Sequence, residues 1–175
     1  MERIDKGPSW GEQLAIGLAA GLAGTALMNG YWAVLKHVSP PSKEEEATTA
    51  KVAAAALKQV GVPHPSKQVR QIGGQVVHWG YGGTWGMISG AARRLHAPLD
   101  LGGGPLLGIG LWALGDLWML HKLGFSRHPR RYPVSVHVKA LGAHLVYGAG
   151  VWATLAAARR LRAQPEAEIV SRLAA

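Results

Sequence analysis

The chain has 175 residues, no cysteine and a formal net charge of +9. That is one domain's worth of chain, and it excludes disulfides, thiolate metal sites and thiol nucleophiles. Lys, Arg, Asp and Glu crowd between apolar windows, and the 24 glycines fall largely inside those windows. Glycine within a helix is costly in water but common in membranes, where it lets backbones approach closely.

The first window, LAIGLAAGLAGTALMNGYWAVL, covers residues 14–35 without a charge. Its leader mixes both signs, and no small-residue cleavage site follows the apolar run. An uncleaved anchor is therefore expected rather than a signal peptide. The first loop, from Lys36 to Gln71, holds SPPSKEEEATTAKVAAAALKQVGVP. Ser42 and Glu45 are spaced as a capping box, and Gly61 with Pro63 makes a stop, so a helix is predicted over about 42–60. Ala50, Ala53, Ala54 and Leu57 give it a weak apolar face, suited to lying on a membrane or capping a bundle. A solvated connector is the alternative.

Further windows follow at 72–92 (IGGQVVHWGYGGTWGMISGAA), 101–120 (LGGGPLLGIGLWALGDLWML) and 140–158 (ALGAHLVYGAGVWATLAAA). All four windows are long enough to cross a hydrocarbon core of about 30 Å as helices. The second and third are only moderately apolar and need partner helices. A soluble bundle with an Ala/Gly-rich core is the competing fold. Trp10, Trp32, Trp79 and Trp112 are placed to mark interfaces, with the pairs Arg93-Arg94, Arg130-Arg131 and Arg159-Arg160 beyond them. The loop charges do not fix an orientation. The basic excess is expected to meet anionic lipid headgroups. No recognition helix or RNA-binding motif is present, so nucleic acid is not an expected partner.

One motif repeats. His78-x-x-Tyr81-Gly82 in the second window returns as His144-x-x-Tyr147-Gly148 in the fourth, each followed by a tryptophan. Asn29 and Asp116 are single polar residues near the ends of the first and third windows. The pattern predicts a duplicated two-helix hairpin, with copies related by an axis along the membrane normal. In four successive spans, Asn29, His78, Asp116 and His144 fall roughly 6 to 9 Å below one interface. Tyr81 and Tyr147 share faces with the histidines, one turn deeper. These six residues form a candidate polar layer that must point inward.

An Asp116 hydrogen bond to His78 or His144 is the expected centre of that layer. Its first reading is structural, as hydrogen bonds that fix helix register. A proton-responsive site is the second. Haem or metal ligation by His78, His144 and Asp116 is the third, although no local ligand spacing supports it. No cofactor is predicted. Gly17-x-x-x-Gly21, Gly82-x-x-x-Gly86-x-x-x-Gly90 and Gly104-x-x-x-Gly108 predict close helix contacts, within the chain or in a homo-oligomer. LGGGP lacks the Lys-Ser/Thr of a phosphate loop, and Gly-x-Ser-x-Gly is absent, so nothing points to an enzyme.

The segments GLAAGLAGTALM, SPPSKEEEATTAKVAAAAL, VVHWGYGGTWGMISG, LWALGDLWML and YPVSVHVKALGAHLVYGAGVWA cover most of residues 14–158. Together they resemble the YagU-like family of small bacterial inner-membrane proteins. The histidine-tyrosine-glycine elements are the most specific of them. Asp116 departs from the histidine or glutamate expected thereabouts in some relatives. The resemblance implies a bacterial inner-membrane location and an association with acid tolerance, and it carries over no catalytic residue. The expectation is thus an all-α, integral membrane four-helix bundle with both termini on one side. It would act as a structural or stress-related subunit, alone in a small homo-oligomer or in a larger membrane complex. Proton-linked transport, or haem or metal binding, is the rival role.

Overall fold

A computed structural model describes residues 8–39, 47–95 and 103–173. These form five principal helices and no strand. Helix α1 (Trp10–Val38) contains the first window and extends beyond it at both ends. Ser9 caps it by accepting the Glu12 N–H, and Lys36 and His37 sit in its last turn, where positive charge suits the helix dipole.

Helix α2 (Thr48–Gln59) stops as the sequence predicts. Gly61 adopts φ 89°, and the Val62 N–H returns to the Leu57 carbonyl, a closure that needs a left-handed residue after the helix. Its start differs from the expectation. The helix begins at Thr48, and the residue before it, Ala47, makes no side-chain cap hydrogen bond. The Ser42–Glu45 pair lies outside the described residues.

Helix α3 (Lys67–Leu95) carries the second window. Helix α4 is composite: Gly103–Leu111 is α-helical, Trp112–Met119 winds as a π-helix, and Leu120–Lys122 closes it with an α turn. A short 3₁₀ turn, Pro129–Arg131, precedes α5 (Val134–Leu173), which runs well past the fourth window. Helix α1 and the Val134–Arg162 part of α5 are long and apolar enough to cross a membrane. Helix α3 dilutes its apolar residues with Gln71, Gln75, His78 and many glycines, and the π-helical stretch interrupts α4.

The helices pack in the row α3–α1–α5–α4, with α2 laid on the outer flank of α3. Glycine sets the contacts. A Cβ on Gly17 would meet the backbone of Gly86 and Met87, one on Gly21 that of Gly82 and Gly83, and one on Gly90 that of Gln13 and Gly17. Gly104 and Gly108 meet Gly148 and His144 of α5 in the same way. The glycine stripes therefore join helices of one chain. The middle seam, α1 on α5, uses Gly24 and Gly150, which belong to no four-residue glycine stripe. Ala50 and Ala53 seat α2 against Gly74 and Gly73, so its weak apolar face caps the bundle.

This row argues against the duplicated hairpin. A two-fold axis would join the hairpins through equivalent helices, or through both crossed pairs together. Instead α1 meets α5 extensively, with no comparable α3–α4 contact.

On α1, α3 and α4 the distribution of side chains is largely inverted relative to a water-soluble core, whereas α5 buries Tyr147, Val151 and Leu155. Helix α1 buries Gly17, Ala20, Gly21, Gly24, Thr25 and Met28 while exposing Leu14, Leu18, Leu22, Leu27 and Val34. Helix α3 buries Gly82, Gly83, Gly86 and Gly90 and exposes Ile72, Val76 and Ile88. Helix α4 buries Gly104, Gly108 and Gly115 and exposes Leu106, Ile109, Leu114 and Trp118.

Candidate functional site

The residues of the predicted polar layer come from α1, α3, α4 and α5, and the bundle gathers five of the six. Asp116 lies in the π-helical stretch of α4. Each additional residue in a helical turn rotates the remainder of the helix by roughly 100° relative to a regular one. Asp116 Oδ2 lies 3.8 Å from His144 Nδ1. This is an ion-pair separation rather than the expected hydrogen bond.

The His144 ring is oriented by its own helix. Its Nδ1 is 2.9 Å from the Ala140 carbonyl. A carbonyl can only accept, so Nδ1 carries the proton and Nε2 keeps a free lone pair when the ring is neutral. His78 on α3 lies within electrostatic reach of His144. It makes no hydrogen bond or ion pair among the described residues. Tyr81 is half-exposed and stacks edge-on against Trp85 at 6.2 Å, with its hydroxyl directed at Gly115 of the π-helical stretch.

Tyr147 is the most firmly held member. It is 3% exposed, and its hydroxyl donates to the Gly82 carbonyl at 2.6 Å, tying α5 to α3 across α1. Gly24 provides the room: a Cβ there would stand 3.0 Å from the tyrosine ring. Thr25 fills the remaining space beside Gly82 and turns its own hydroxyl back to the Gly21 carbonyl. The two halves of the repeated motif thus differ in environment. Tyr147 is an interior bolt, and Tyr81 sits at an edge. Asn29 is half-buried on α1 and makes no hydrogen bond among the described residues, so the structure does not tie it to the layer.

His137 belongs to this group and was not foreseen. It lies within electrostatic reach of Asp116, its Nε2 donates to the Pro129 carbonyl, and its ring stands edge-on to Trp112 and Tyr132. Seven residues separate it from His144, two helical turns on one face. That spacing was the available signal. Trp112 is half-buried and stands edge-on to His137. Among the described residues no three His, Asp or Glu side chains converge as a metal-binding group. Asp116 is the single acidic side chain of the group, placed among two histidines of α5 and the Tyr81 hydroxyl of α3. Chemically, such an arrangement can accept, hold and pass a proton.

No family model, curated protein or solved structure matches the chain.

Proposed function

We propose that this chain is a small multi-pass protein of the bacterial inner membrane, YagU-like in kind. Its role is non-enzymatic, structural or stress-related, and α1, α3, α4 and α5 are its spans. The inverted side-chain distribution carries the reading. Many leucine, isoleucine and valine side chains of α1, α3 and α4 point outward while glycine, alanine and threonine line most of the contacts, with Leu111, Val151 and Leu155 among the buried residues. Hydrocarbon rewards that arrangement and water does not. The α1–α5 pair supplies a length that agrees. Glu12 pairs with Arg162 at one end, and Lys139 donates to Ser39 at the other. About 35–40 Å of helix separates these polar links, between the thickness of a bilayer's hydrocarbon core and that of a bilayer with its headgroup regions.

The chain has no cysteine, so single cysteines report topology cleanly. Ser66→Cys and Phe125→Cys are expected to react with an impermeant maleimide from one face of the membrane, and Gly11→Cys only from the other. Release of the wild-type protein by alkaline carbonate, or labelling of all three from one face, would refute the reading.

A second reading is favoured by the placement of Asp116 beside His144 on a π-helical turn, because ionisable groups inside a span mark proton or ion paths. It makes the chain proton-responsive and fits the acid-tolerance association of the resemblance. In proteoliposomes with an internal pH dye, wild type would then carry protons and Asp116→Asn would not, with both folded. Equal behaviour of the two leaves the layer as a fastener, and His144→Gln would then preserve function.

A further inference from the structure

The loop between α4 and α5 is short, yet it is built rather than loose. Gly124, at φ 79°, closes α4, with its own N–H on the His121 carbonyl and the Phe125 N–H on the Leu120 carbonyl. The Tyr132 hydroxyl accepts the Arg127 N–H at 3.1 Å, and His128 Nδ1 accepts the Arg130 N–H at 3.2 Å. His137 fixes the Pro129 carbonyl at 3.0 Å. Arg130 and Arg131 are exposed on this scaffold, and among the described residues neither guanidinium has a hydrogen bond or ion pair. Lys122, at the root of the same loop, is likewise exposed and unpaired among those residues.

Nothing in the surrounding sequence neutralises these charges. Between Asp116 and Glu166 there is no acidic residue at all. The same end of the bundle gathers the end of α1, all of α2 and the start of α3. The described residues of these segments and the loop hold ten Lys and Arg and no Asp or Glu. Positive charge of this density attracts an anion.

The neighbours of the arginines select which one. Trp118, Leu123, Val134 and Val138 surround the loop's roots and are between 59% and 77% exposed. A free phosphate or a nucleic acid has no use for an apolar collar. A phospholipid has both parts, chains for the collar and a phosphate for the guanidinium groups, which bind phosphate oxygens in a bidentate fashion. The geometry points to the α4–α5 loop as a binding site for the phosphate of an anionic phospholipid, engaged by Arg130 and Arg131 with Lys122 beside them. This rests on the membrane reading above.

The test uses the full chain, purified in detergent and examined by native mass spectrometry with added phosphatidylglycerol or phosphatidylcholine. The wild type retains phosphatidylglycerol in preference to phosphatidylcholine. The double variant R130Q/R131Q loses about tenfold of that retention, whereas R130K/R131K, which keeps the charge but not the bidentate fork, loses a smaller part of it. K51Q/K58Q removes equal charge from α2 at the same end and leaves retention within about twofold of wild type. Equal loss in K51Q/K58Q would reduce the effect to diffuse charge and overturn the site. Displacement of the lipid by inorganic phosphate at equal concentration would overturn the lipid assignment. A wild-type chain that stays in solution without detergent refutes the membrane reading itself. A detergent-requiring chain whose phosphatidylglycerol survives R130Q/R131Q refutes the site alone.

Discussion

A hydrogen atom is the largest side chain that Gly86 can carry. Its Cβ would stand 2.5 Å from the Gly21 Cα and nearer still to the Gly17 carbonyl, and neither backbone can yield without parting α1 from α3. Gly80 lies on the same helix with nothing within 4 Å of a Cβ. Gly86→Ala is therefore expected to destabilise by about 1–3 kcal/mol, seen as an earlier transition in detergent unfolding. Gly80→Ala should match wild type or exceed it slightly, since alanine favours helix. Identical behaviour of the two variants would mean that the α1–α3 contact is not made as described. The comparison separates glycine as a contact from glycine as mere composition.

At the scale of elements, much was legible because the relevant rules are periodic. Every-fourth-residue glycines mark the α1–α3 and α4–α5 contacts, and the up-and-down alternation of the helices brings His78, Asp116 and His144 near one another. Rotation about each helix axis was not legible. The same His-x-x-Tyr-Gly motif buries Tyr147 and leaves Tyr81 at an edge, because neighbours decide which face is covered. The order of the row was hidden too, since Gly24 and Gly150 have no partner four residues away that would announce the middle seam. The π-helical turn under Asp116 carries no proline or other local cue; tertiary contacts must select it. Helix α2 offers a test at this scale. A Cβ on Gly74 would lie 2.9 Å from the Ala50 nitrogen, so Gly74→Val should lift α2 away from α3. Tryptic cleavage at Lys51 and Lys58 would then speed up by about tenfold while the long helices stay protected. Unchanged cleavage would mean that α2 does not rest on Gly74.

For the whole molecule, the informative contact is the pairing of the first long helix with the last. It closes the chain on itself and makes its middle seam. Ser39→Cys with Lys139→Cys, bridged by a short bis-maleimide, is expected to yield a cross-link within one chain. A cut between residues 96 and 102 would then leave two fragments that migrate together. Cross-links between chains alone would show that α5 reaches α1 only in a dimer, and the glycine seams would have to be reassigned to an oligomer.

The links at the two ends of that pair have a mechanical consequence. Glu12–Arg162 and Ser39–Lys139 pin α1 and α5 near opposite ends, so neither can slide along the other without breaking one of them. In the membrane setting proposed above, a bilayer thicker or thinner than the pinned length would be met by tilt of the pair as a unit, or by deformation of the lipid around it.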